Sequence, residues 1–123
     1  IKKVCLGAKN KKKIVVGNIN TFRDYSWVTD IVKAILLTSN LKSKDYIISA
    51  GKILSGIEII KTAYNLNKLD YRKYFSISKK FFREKENKFL IGSNKNSLHL
   101  KNKNNFKFKI FGKKLIKKMY KCL

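Results

Sequence analysis

Between Val15 and Ile35 the chain sets a short apolar strand, a Gly17-Asn18 turn, one isolated arginine and the start of an amphipathic helix in immediate succession. The arginine is Arg23, one of three in a chain whose other basic residues are all lysine. A guanidinium presents a rigid fork of donors suited to phosphate, whereas lysine presents a point charge. An arginine kept at a strand-to-helix junction amid so many lysines points to a chemical task.

The rest of the chain alternates in the same way. Ile14 to Val16 read as a short strand after the lysines at 11–13. Helical spacing puts Val28, Ile31, Val32, Ile35 and Leu36 on one face of a helix over residues 29–39. Residues 45–50, ended by Gly51, form a compact apolar run that reads as a buried strand. A second helix is expected from Ser55, a candidate N-cap, with Ile57, Ile60, Ala63 and Tyr64 inward. Residues 71–77 and 88–91 read as further strands, and Ser93 as the cap of a brief helix. The asparagine-rich stretch 94–105 reads as loop. A last helix over 113–123 turns Leu115, Ile116, Met119 and Leu123 inward and lysines outward. Alternating strands and helices mark an α/β protein.

At 123 residues and 44% hydrophobic content, the chain makes one domain or part of one. It opens on Ile1, in what reads as the tail of an element already under way, so a fragment or processed product is expected. No apolar run approaches the roughly 20 residues of a membrane span. Cys5 and Cys122 lack the paired spacing of zinc or redox sites, and a reducing cytoplasm is the expected compartment. His99 has no carboxylate or cysteine partner nearby in the sequence and reads as a surface residue. The net charge of +23 favours anionic ligands and opens a nucleic-acid reading through counterion release. Yet lysine supplies all but three of the 30 basic residues and rides with abundant asparagine and isoleucine, while proline is absent. AT-rich coding drifts toward that composition, so a solvated lysine surface accounts for much of the charge.

Several segments carry a longer resemblance. Val15-Val-Gly-Asn-Ile19, Phe22-Arg-Asp-Tyr25, Asp30-Ile-Val-Lys-Ala34, Asp45-Tyr-Ile-Ile-Ser-Ala-Gly51, Phe82-Arg-Glu-Lys-Glu86 and Phe89-Leu-Ile-Gly92 follow one another in order. They resemble, in the same order and spacing, segments of the GDP-mannose 4,6-dehydratases, a family of extended short-chain dehydrogenases that act on nucleotide sugars. Departures include Tyr25 for tryptophan, Ala50 for threonine, Glu84 for proline, and Ser93-Asn94 for Asp-Pro.

The resemblance implies an α/β fold forming the C-terminal part of an extended short-chain dehydrogenase of the NAD(P)-binding Rossmann superfamily. Residues 1–123 would be a single partial domain, mostly the small substrate-binding domain, without the N-terminal dinucleotide-binding part. It implies that Arg23 and Arg83 contact the diphosphate of a GDP-sugar and that Glu86 holds ribose hydroxyls. Asn18, of the Gly-Asn turn, is the fourth implied substrate-binding position. The whole enzyme would use NADP and form a homo-oligomer; this chain alone would bind no NADP and have no activity. No membrane or specific nucleic-acid partner is implied. Another nucleotide-sugar epimerase or dehydratase, and a small basic nucleic-acid-binding module, remain open as other readings.

Tyr64 and Lys68 have the Tyr-x-x-x-Lys spacing of the superfamily's catalytic pair. The resemblance places the true pair upstream, and Tyr64 lies on the apolar face of the second helix, so core packing is expected for it. No Gly-rich dinucleotide turn follows any strand. Alone, the chain is expected to leave the apolar faces of the helices at 29–39 and 55–64 uncovered.

Overall fold

The computed structural model describes residues 1–93 and 106–123. Helix α1 (Lys2–Lys9) leads through a turn, in which Lys11 adopts a φ of 53°, into β1 (Ile14–Val16). Then come β2 (Phe22–Asp24), α2 (Val28–Thr38), β3 (Ile53–Ser55) and α3 (Gly56–Asn65). The described elements end with β4 (Phe75–Ile77), β5 (Phe89–Leu90) and α4 (Gly112–Cys122).

The strands form two small sheets. β1 and β4 pair in parallel, with Ile14 opposite Phe75 and Val16 opposite Ile77. β2 is the middle strand of the other sheet, antiparallel to β3 and parallel to β5. Helices α1, α3 and α4 pack on one another and bury Val4, Cys5, Ala8, Ile60, Tyr64 and Ile116. The inward faces read for the second and last helices are therefore the ones the fold uses. Cys5 is buried and Cys122 exposed, and both are free thiols.

The start of α3 shows how sequence sets the local structure. The Ser55 hydroxyl accepts from the Glu58 amide at 3.2 Å, and Glu58 Oε2 accepts from the Ser55 amide at 2.8 Å. This reciprocal cap satisfies two of the helix's orphan donors. Those bonds to Ser55, its backbone amide first, hold the Glu58 carboxyl below its ordinary range. A depressed carboxyl stabilises the fold above its unfolded value of about 4.3, and that stability is lost as pH falls through the folded value. Ser55→Ala should therefore cost about 1 kcal/mol near neutral pH, and the gap from the parent should narrow below about pH 4. Urea denaturation of both chains at a series of pH values checks this.

Several sequence expectations need correction. The run at 45–50 forms none of the strands of the two sheets. It is held instead through Ser49, which is buried against Asp24. Only the second half of 71–77 is a strand; Asp70 caps a 3₁₀ turn over Tyr71–Lys73 by accepting from the Arg72 amide at 3.2 Å. The apolar face of α2, by contrast, is uncovered as expected for the chain alone, with Val28, Val32, Ile35 and Leu36 each at least 47% exposed. The helix instead docks through Asp30 and Ala34, because the Asp30 carboxylate grips the chain at residues 109–110. The matching face of α3 is not left open, since α1 and α4 cover it. The expected loop at 94–105, the helix capped by Ser93 and the place of His99 lie outside the described residues. No helix among the described residues is long and apolar enough to cross a membrane.

Candidate functional site

Arg23 occupies the centre of β2, not the strand-to-helix junction expected for it. Pairing with β5 puts the carbonyl of Lys88 beside β2, where it accepts from the Phe22 amide at 2.7 Å. The rings of Phe22 and Phe89 stack at 4.8 Å on the same pairing. This register carries the loop before β5 to Arg23. The guanidinium Nη2 meets Glu86 Oε1 at 3.3 Å, and both side chains are about four-fifths buried, with exposures of 21% and 19%.

The other carboxylate oxygen, Glu86 Oε2, accepts from Asn18 Nδ2 at 3.2 Å. Asn18 itself is fixed, since its Oδ1 accepts from the Asn20 amide at 3.0 Å, which orients the side-chain amide. The neighbouring Gly17 explains the close fit of this turn. A Cβ there would lie 2.9 Å from the Phe81 carbonyl oxygen, so a side chain would push the turn away from the loop that carries Glu86.

Three of the four expected site residues thus form one linked set, Asn18–Glu86–Arg23. Arg83 is exposed and makes none of these bonds. The set includes groups that side-chain reasoning missed. Arg23 Nη1 donates to the Phe22 carbonyl at 2.8 Å and to the Lys88 carbonyl at 3.4 Å. Backbone carbonyls leave no composition signal, so only the strand pairing could have disclosed them.

Asp24, next along β2, has a separate task. Its Oδ2 accepts from the Gly51 amide at 2.8 Å and from the Ser49 hydroxyl, tying the segment after α2 to the sheet. Gly51 adopts a φ of 68°, which suits glycine. Arg23, Asp24, Tyr25, Ser26, Leu90 and Gly92 help to line a cleft of about 410 Å³. That size falls in the range of small-molecule sites, and its charged lining residues are Arg23 and Asp24.

Tyr64 and Lys68 are not arranged as a proton-transfer pair. Tyr64 is fully buried, with its hydroxyl donating to the Lys12 carbonyl at 2.7 Å. Burial pushes its phenol further up, away from the near-neutral value a general acid or base needs. Lys68 lies beyond the end of α3 with a φ of 56°. Among the described residues no group of three or more His, Cys, Asp or Glu side chains could hold a metal ion.

Comparison with known proteins follows the same lines. The sequence model of a family described as GDP-mannose 4,6 dehydratase matches residues 1–119. Among solved structures, the chain is similar to RMD from Pseudomonas aeruginosa complexed with NADPH. There the TM-score is 0.74 at 17% identity, covering 98% of this chain and 39% of that one. It is similar also to dTDP-glucose 4,6-dehydratase from Bacillus anthracis str. Ames in complex with NAD, with a TM-score of 0.74 at 15% identity. That match covers 97% of this chain and 37% of the other. At such identities the structural likeness is one of fold, and the chain spans less than two-fifths of the length of either structure.

Proposed function

The chain belongs to the GDP-mannose 4,6-dehydratase family of extended short-chain dehydrogenases, and we propose that it is the C-terminal, substrate-binding part of such an enzyme. The whole enzyme converts GDP-mannose to its 4-keto-6-deoxy derivative, and this chain contributes contacts to the nucleotide. Arg23 binds the diphosphate, Glu86 accepts from the ribose diol, and Asn18 holds Glu86 in place. Exposed Arg83 adds charge from the loop edge.

The single observation that carries this reading is the Arg23–Glu86–Asn18 set beside a cleft of about 410 Å³. A diphosphate next to a vicinal diol needs one cationic fork and one acceptor close together, and this set supplies both.

The residues described do not fit NADP. The start of α3 is the nearest thing to a strand–glycine–helix turn, and its Ile57 and Glu58 amides are already taken by the Ile19 carbonyl and the Ser55 hydroxyl. Gly56 serves chain packing, since a Cβ there would sit 2.8 Å from Ile19 Cα. Hydride transfer and the acid–base steps belong to residues outside this chain, which alone should show no turnover.

The test is calorimetric titration of the chain with GDP-mannose and with dTDP-glucose. GDP-mannose should bind more tightly, and Arg23→Lys should weaken it by about 1–3 kcal/mol as the fork is lost. Circular dichroism of the variant separates this loss from unfolding, because Arg23 also holds the Phe22 and Lys88 carbonyls. Unchanged affinity in a folded variant would sink the assignment.

A further inference from the structure

In the free protein Glu86 shares the anion-binding fork of Arg23, taking one of the two N–H donors of Nη2. Nη1 is held by two backbone carbonyls, so either bidentate edge of the guanidinium must use Nη2, and Nη2 is paired with Glu86. A phosphate arriving on that edge comes within a few ångströms of the Glu86 carboxylate, where two anions repel in a partly buried site. The carboxylate has somewhere to go without leaving the site, because its second oxygen is anchored by Asn18 at 3.2 Å.

We infer that Glu86 is an internal competitor that couples diphosphate binding to ribose binding: phosphate displaces it from Arg23, and it pivots on Asn18 to accept from the diol. This rests on the ligand proposed above. A diphosphate lacking ribose breaks the Arg23–Glu86 pair and returns nothing to the carboxylate. A nucleoside diphosphate breaks the same pair and replaces it with two hydroxyl donors. The site therefore discriminates against free pyrophosphate and other simple phosphates, although Arg23 alone would bind them all. Asn18 acts as a positioning residue, touching the carboxylate and not the ligand.

The experiment titrates the chain and its variants with pyrophosphate, GDP and 2′,3′-dideoxy-GDP, with circular dichroism to confirm folding. The parent should prefer GDP to the dideoxy analogue, and both to pyrophosphate. Glu86→Gln should bind pyrophosphate about 3- to 10-fold more tightly, as the competing partner of Arg23 is weakened, and should lose most of its preference for the diol. Asn18→Ala should reduce the GDP to dideoxy-GDP ratio, because the carboxylate is no longer aimed. Pyrophosphate binding that Arg23→Lys weakens but Glu86→Gln does not strengthen would overturn the coupling while leaving the diphosphate site intact. Pyrophosphate binding unmoved by Arg23→Lys would overturn both.

Discussion

Tyr64→Ala should destabilise the chain by about 3–5 kcal/mol, the range for deleting a large buried aromatic. Tyr64 is among the largest side chains wholly removed from solvent, and its ring stacks on Tyr74 at 5.2 Å. Gly7 of α1 lies directly against it, since a Cβ there would fall 2.7 Å from the Tyr64 hydroxyl and 2.5 Å from Ile14. The ring therefore wedges α1, β1 and α3 together, and little around it can collapse into the space it leaves. Tyr64→Phe should cost only about 1 kcal/mol, for the Lys12 carbonyl left without its donor. Urea denaturation of the two variants gives both numbers. The pairing of a severe alanine effect with a mild phenylalanine effect identifies a packing residue. A phenylalanine variant as unstable as the alanine one would mean that the hydroxyl, and not the ring, carries the position.

The sequence made the long helices and three of the described strands legible but left β2 and β3 obscure, for a physical reason. A helix writes its contacts within a few residues of itself, so Ile60, Ala63 and Tyr64 at helical spacing behind a Ser55–Glu58 cap identify α3 and its buried face. A short strand of mixed polarity carries no such record. Phe22-Arg23-Asp24 contains one apolar residue, and it is a strand because β3 and β5, far away in sequence, pair with it. The run at 45–50 errs in the other direction, being apolar enough for a strand yet forming none of those in the two sheets, and it is held by the bond from Ser49 to Asp24. The apolar stripe of α2 was legible as a stripe, but which side of the helix docks was decided by one buried carboxylate.

The candidate site divides in the same way. Motif order singled out Arg23, Glu86 and Asn18, whereas the bond between Arg23 and Glu86 spans 63 residues and follows only from the parallel pairing of β2 with β5. The ion pair that local sequence suggests for Arg23 is with Asp24, its neighbour. On a strand, adjacent side chains point to opposite faces, so Asp24 is turned to Ser49 and Gly51 instead. Strand geometry thus frees Arg23 for a distant partner and, through it, for an anion.

Asp30→Ala should cost about 3 kcal/mol, from two charge-assisted bonds worth at least about 1.5 kcal/mol each. Asp30 is only 4% exposed and forms no ion pair among the described residues; its Oδ2 accepts from the backbone amides of Lys109 and Ile110, each at 2.8 Å. A buried carboxylate without a cation is tolerable when backbone donors converge on it, and its place in the first turn of α2 adds the favourable end of the helix dipole. The Trp27 amide donates to the Ile110 carbonyl at 2.9 Å alongside, so this one side chain joins the segment before α4 to the segment after β2. Asp30→Asn can put its amide oxygen where Oδ2 accepts both amides, so it should recover about half of the loss or more and lack only the contribution of the charge. Thermal unfolding of both variants supplies the comparison, and hydrogen exchange adds a local readout. In Asp30→Ala the amides of Lys109 and Ile110 should lose protection while those of α3 keep theirs, because α3 is capped and buried independently of this clamp. Equal loss of protection across α3 would show instead that Asp30 holds the whole core, and not only the join between α2 and the final helix.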